Sequence, residues 1–420
     1  MDFRNVLIAI VLSTVVLIGW ATFFEAPIVE QQTTENEITK SEDLVSPSID
    51  EDAKEIKSEI TRSDTINKTK RVKIENENIK GTLSLEGAII DDIIFKNYKE
   101  TLNGENKVTF LNPKNSAKEY FIETGWAVGG NEKVKLPLSN TIWKVQGNNK
   151  LTPSNPITLK WNNNEGLIFT KKIELDDKFL FKITQSIKNT SNKSFQFYPY
   201  AQITRNGKPE GRQIYILHEG FVTVADGELK EIDYDEIDEK SYSQKANTGY
   251  LAIGDKYWVT SIIPANGRPF RIDIDYKKKY RASFIDLEGF NVDANSSAQH
   301  TVKSVIGAKE VKLIDKYAEE LNIKQFDLNV SYGIFYWIVR PMHVALDYLY
   351  KFSGNYGYAI ILLTILIRII FFPLNQYSFK SMSKMKVLAP QLNIIKEKWK
   401  EDKVQLQKET MKLYKANGVN

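Results

Sequence analysis

Tyr356-Gly-Tyr-Ala-Ile-Ile-Leu-Leu-Thr-Ile-Leu-Ile-Arg-Ile-Ile-Phe-Phe-Pro-Leu374 is the stretch that decides the architecture. As a helix, residues 357–374 span roughly 27 Å, close to the thickness of a bilayer core. Arg368 sits inside this run, and a guanidinium in lipid costs on the order of 3 kcal/mol unless it faces protein, a wet cavity or the interface. On a helix, Gly357, Ile361, Thr364, Arg368, Phe372 and Asn375 share one stripe, half of it polar. Two readings stay open on position alone. The stripe lines something wetter than lipid, or Arg368 snorkels to nearby headgroups past Leu374, only about 9 Å along the helix.

Beyond Leu374 come ten lysines (380, 384, 386, 396, 398, 400, 403, 408, 412, 415) against four acids (397, 401, 402, 409), a net of +6. Basic flanks resist translocation, so this tail belongs in the cytoplasm. Met385, Leu388, Leu392, Ile395 and Trp399 recur at three- and four-residue steps, as in a helical seam, with Pro390 as an interruption. Asp402 is placed to N-cap a second helix that offers Val404, Met411 and Tyr414 for burial, making a basic helical hairpin over residues 377–420. Met382 and Met385, beside Lys380, Lys384 and Lys386, read either as a flexible apolar surface or as hairpin core.

A second apolar run, residues 6–24, is long for a cleaved signal peptide and reads as an uncleaved anchor. Two spans leave both ends cytoplasmic and the segment between them outside. The chain has 420 residues and no cysteine, which excludes disulfides, zinc–thiolate sites and cysteine nucleophiles. Residues 25–66 hold twelve acids and four bases, too polar to bury a core, and read as a disordered tether.

From residue 71 to about 305 the period is two. Leu167-x-Phe169 and Ile173-x-Leu175 precede Asp176-Asp177, followed by Phe179-x-Phe181-x-Ile183 and Ile187, the pattern of a hairpin with one buried face. Similar strands recur at Val72-x-Ile74, Leu83-x-Leu85, Tyr257-Trp-Val259 and residues 301–306. The expectation is an antiparallel sandwich of about 230 residues. A helix over residues 309–321 follows, with Val311, Tyr317 and Leu321 available for burial. Residues 333–350 are aromatic and apolar but carry Arg340, Pro341 and Asp347. They read as an interfacial helix on the outer face, the alternative being a core helix of the sandwich.

Signals for covalent chemistry are poor. The three histidines (218, 300, 343) have no metal spacing, and no phosphate loop or nucleophile elbow is present. A sugar-acting sandwich using His218 and Glu219 is the one enzymatic reading. A membrane-anchored periplasmic binding or sensing module, with a carbohydrate-binding-like sandwich, is the non-enzymatic alternative.

Several blocks in order resemble the YidC-type membrane protein insertases of Gram-negative bacteria. They are Met1-Asp-Phe-Arg-Asn5, the acidic tether, Phe326-Asp-Leu-Asn-Val-Ser-Tyr-Gly333, Gly354-Asn-Tyr-Gly357, Thr364 with Arg368, Pro373-Leu374, Ser381-Met-Ser-Lys-Met385, Pro390 and Leu413-Tyr-Lys-Ala416. The resemblance covers nearly the whole chain and is specific from residue 326 onward.

It implies a multi-part membrane protein with two transmembrane α-helices, a large periplasmic all-β super-sandwich and a cytoplasmic helical hairpin. The parts are an anchor (1–25), tether (26–70), sandwich (71–325), interfacial helix (326–355), second transmembrane helix (356–376) and hairpin (377–420). The implied function is insertion and folding of new inner-membrane proteins, alone or with the Sec translocon, without cofactor or catalysis. Arg368, Thr364, Gly357 and Ile361 fall on the family's hydrophilic groove. Lys380, Met382, Lys384, Met385, Lys386 and Pro390 fall on the hairpin. Expected partners are nascent membrane proteins, the Sec translocon, the phospholipid bilayer and, through the basic segments, the ribosome, with no direct nucleic-acid contact. The family's groove also uses transmembrane helices beyond the hairpin, so a chain truncated before them is expected. Without them Arg368 lacks groove partners, and the truncated chain is not expected to insert substrates unaided.

Overall fold

The computed structural model describes residues 61–129, 134–209, 218–330 and 332–418. The expected anchor over residues 1–25 and most of the tether lie outside the described residues. The rest forms two compact units, a β domain and a helical unit from residue 335 onward.

In the β domain, strands build an eleven-stranded and a nine-stranded sheet. The hairpin read from the sequence is present. Strand Leu167–Leu175 pairs antiparallel with strand Leu180–Asn189, with Ile183 opposite Ile173. Asp176 makes the turn, its Oδ1 accepting from the backbone N–H groups of Lys178 and Leu180, both at 2.8 Å. Inward positions Leu167, Phe169, Ile173, Phe181, Ile183 and Ile187 are buried, as period two requires. The next strand across the sheet is Ser297–Ala308.

Three inward positions are polar: Lys171, Gln185 and Asn189. Lys171 is buried where the alternation calls for an apolar residue. It is tolerated because its ammonium donates to Thr124 O at 2.5 Å and lies 5.0 Å from the centre of the Trp143 ring. Burial pulls it down to about 8. Gln185 is likewise buried.

Three expectations are corrected here. Residues 62–68, assigned to the tether, form helix α1 (Arg62–Lys68), N-capped by Thr61 and tied to the sandwich by an Arg62–Asp92 ion pair. Helix α2 (Tyr234–Glu239) is a short capping-box helix after a strand. The expected helix near residue 309 is α3 (Val311–Glu320), but Leu313, Ile314 and Tyr317 supply its buried face while Val311 is only half-buried. The sandwich also runs past residue 325. Phe326 is fully buried, its ring edge-on to Tyr250 at 5.1 Å, and Asn329 Nδ2 donates to Tyr250 Oη at 3.1 Å.

The helical unit contains α4 (Tyr336–Ser353), α5 (Tyr356–Lys398) and α6 (Lys403–Ala416). None of the α4 residues is buried, which removes the reading of this segment as a core helix of the sandwich. The boundary expected at residue 376 is absent. Helix α5 runs 43 residues through both Pro373 and Pro390. Each proline lacks one intrahelical donor, a local loss that the flanking turns outlast.

Candidate functional site

Helix α5 begins where the sequence stops α4. Gly354 takes a positive φ of 68° that other residues adopt at a cost, and its N–H donates to Tyr350 O at 2.7 Å, a left-handed C-cap. Asn355 then N-caps α5, its Oδ1 accepting from Gly357 N at 2.7 Å. The Tyr350 and Tyr356 rings stack at 4.0 Å across this two-residue turn. Gly357 therefore serves the cap as well as the stripe.

Among the described residues, α5 is the one helix long and apolar enough to cross a membrane. One face packs. Ala359 is buried, and Leu366 shares a cavity of about 750 Å³ with Tyr336, Arg340, Val344 and Leu349 of α4. Arg340 caps that cavity, its guanidinium bonded to Tyr336 Oη one turn back.

The stripe faces the other way. At about 100° per residue, Thr364 and Arg368 point about 200° from Leu366. Gly357, Ile361, Thr364 and Arg368 are all exposed. The structure thus brings the four expected groove positions onto one face and keeps that face out of the packing with α4. Thr364 Oγ1 donates back to Ile360 O at 2.8 Å, so its donor is satisfied within the helix while the oxygen remains open to accept.

The hairpin closes as its caps dictate. Asp402 Oδ1 accepts from Val404 N at 3.1 Å and Gln405 N at 3.0 Å, starting α6. Leu388 is buried and Leu392, Ile395 and Trp399 are half-buried, which matches the seam except at Met385. Met382 and Met385 are exposed, so they are surface rather than hairpin core, and Pro390, Lys380 and Lys386 are exposed beside them. In α6, Val404 and Met411 are exposed, which corrects those two positions of the expected face, while Tyr414 is half-buried as expected, together with Leu406 and Leu413. Lys384 is the residue whose role the sequence concealed. Its ammonium donates to Asn417 O at 3.2 Å and Gly418 O at 3.1 Å, a contact 33 or more positions away that no local pattern signals.

In the sandwich, His218 and Glu219 do not form a couple. His218 Nδ1 lies 3.1 Å from Asp233 Oδ1, whereas Glu219 Oε1 accepts from Lys256 N at 3.0 Å.

Two family models divide the chain. One, the YidC periplasmic domain, matches residues 71–345, and the other, the 60Kd inner membrane protein, matches residues 348–420. A membrane protein insertase YidC of Pelagibacter ubique is 47% identical over 423 residues, covering all of this chain and 75% of that protein. The chain belongs to the YidC family. A second YidC, from Bradyrhizobium diazoefficiens, is 34% identical over 455 residues, again across the whole chain and 74% of the relative. A crystal structure of an active YidC insertase aligns with 84% of this chain and 66% of its own, at 15% identity and a TM-score of 0.30. Within the YidC family assignment, the junction of the two models falls inside α4, between residues 345 and 348.

Proposed function

We infer that this chain is a membrane protein insertase of the bacterial inner membrane, which moves newly made membrane proteins into the bilayer without covalent chemistry. One observation carries the mechanism. The polar stripe centred on Arg368 is exposed while α5 packs through its opposite face. A fixed positive charge at that depth lowers the barrier for the polar, acidic part of a substrate, and the apolar segment then partitions into lipid. Thr364 adds an acceptor one turn away, and Gly357 leaves room at the end of the stripe.

In this reading the N-terminal run is the first of two transmembrane helices, the basic hairpin and the N-terminus are cytoplasmic, and the sandwich is periplasmic. Helix α4 lies at headgroup level, since Trp337, Tyr348 and Phe352 are more than 70% exposed and favour that depth. The lysine-rich hairpin provides a surface for a ribosome, and the Sec translocon is a membrane partner.

The test is Arg368→Ala in the insertase, with in vivo insertion of a substrate bearing an acidic translocated tail. Insertion should fall about tenfold, the ratio corresponding to ~1.4 kcal/mol of lost attraction. A substrate with an uncharged tail should be affected less. Equal insertion of the acidic substrate at equal protein level would remove Arg368 from the mechanism.

A further inference from the structure

The sandwich contains a cavity of about 440 Å³ assembled from widely separated segments. Tyr98 comes from strand Ile89–Lys99 of the eleven-stranded sheet, whereas Trp258 and Ala308 end two strands of the nine-stranded sheet. Tyr257 and Trp258 give the cavity aromatic walls, and Lys99, Lys256 and Lys309 bring three ammonium groups to its lining.

The nearby carboxylates have partners of their own. Glu310 Oε1 accepts from Tyr98 Oη at 2.8 Å, Glu219 from Lys256 N, and Asp255 Oδ1 from Arg205 Nη1 at 2.5 Å, while Glu231 is exposed. His218 Nε2 lies 3.1 Å from Phe221 O. Lys309 is different. Its backbone N–H is bonded to Tyr257 O at 2.9 Å, while its ammonium makes no direct hydrogen bond among the described residues and is attracted at longer range by Asp255, Glu219 and Glu231. It rests beside Gly254, where an added Cβ would come within 3.0 Å of Nζ. Burial pulls this group down to about 8. A half-buried ammonium held only by carboxylates at longer range is incompletely compensated, and the cavity beside it gives that charge a use.

We propose that this cavity binds a phosphate group carried on an organic body, with Lys309 as the central charge and Lys99 and Lys256 at its rim. Three lysines are compact point charges, which suit a phosphate better than they suit a planar carboxylate held by an arginine fork. A space of about 440 Å³ is far larger than a bare phosphate needs, and Tyr257 and Trp258 give the remainder apolar ring surface in the lining. The same chemistry occurs in a soluble phosphate ester and in a phospholipid headgroup.

The test is calorimetric titration of phenyl phosphate into the purified full chain in a non-ionic maltoside detergent. Saturable binding is expected, weakened at least tenfold in Lys309→Met and kept in Lys309→Arg, while Lys188→Gln on the exposed face leaves it unchanged. Added phosphatidylglycerol that competes for the site identifies a lipid headgroup as the source. Absence of competition with phenyl phosphate binding intact identifies a soluble ester. Equal affinity in Lys309→Met, or no saturable binding by wild type, would overturn the proposal. A second readout covers folding: without ligand, Lys309→Met should have the higher Tm, because it removes a charge that burial disfavours more than the nearby carboxylates offset. A lower Tm would mark Lys309 as a structural strut and also overturn it.

Discussion

The ammonium of Lys384 on α5 lies 3.1 Å from the carbonyl oxygen of Gly418, just beyond the end of α6. The last carbonyls of a helix lack intrahelical donors, and a cation there also meets the negative end of the helix dipole. One side chain therefore holds the two arms of the hairpin together at its open end.

Replacing Lys384 by Met should loosen α6. The lost capping is worth about 1 kcal/mol, so amide exchange in residues 410–418 should accelerate about fivefold. Lys386→Met, altering an exposed neighbour, should leave exchange unchanged. Equal protection in both variants would mean that the seam at Leu388 alone closes the hairpin.

Tyr317 plays a comparable part in the sandwich. Its Oη donates to Asp176 Oδ2 at 2.6 Å and accepts from Phe179 N at 3.2 Å, pinning α3 to the Leu167–Asn189 hairpin turn. Tyr317→Phe keeps the ring but strands a buried N–H and weakens the turn. We expect a loss of about 2 kcal/mol in chemical denaturation, read on the β-sheet circular dichroism signal. A loss below about 0.5 kcal/mol would show that solvent replaces the hydroxyl there.

His300 is expected to make the sandwich acid-sensitive. It is buried between Phe284 and Phe290, with ring centres at 6.0 and 5.9 Å, and burial pushes it from 6.5 down to about 4, Asp286 opposing and Arg268 assisting. The unfolded chain takes up a proton first as pH falls, so stability declines from about pH 6.5 to about pH 4 and then levels off for this group. The full effect is roughly 3 kcal/mol. Denaturation midpoints of wild type and His300→Phe, measured between pH 7 and pH 4, should diverge in that sense, with the variant losing less. Parallel curves would place the acid sensitivity elsewhere.

The helical unit should matter more to insertion than the sandwich. Deleting residues 71–308 should leave growth rescue of a depleted strain largely intact, whereas deleting residues 381–416 should abolish it. The reverse ranking would move the working surface out to the β domain.

The sequence was most informative where structure is local. Period two revealed the Leu167–Asn189 hairpin because each residue's face is set by its neighbours two positions away. Asp402 announced α6 for the same reason. Contacts between distant segments escaped notice. Lys171 looks like a surface lysine until Thr124, 47 positions earlier, supplies the acceptor that lets it enter the core. Arg62 appears to be tether until Asp92 is beside it. The prolines of α5 also misled, because a long helix absorbs a missing donor that would end a short one. The stripe at Arg368 was legible since helical spacing alone defines it, but the face that packs on α4 was not.

The 43 residues of α5 make a rod about 64 Å long, roughly twice the thickness of a bilayer core. Some 36 Å of it lies between Leu374 and Lys398, taking about 1.5 Å per residue. A tilt of roughly 10° about the membrane end would swing the far tip by about 6 Å. Seen this way the helix is a lever as well as a wall. Under the proposed function, a load seated on the lysine-bearing arm would turn the Arg368 stripe, joining the arrival of cargo to the readiness of the proposed path.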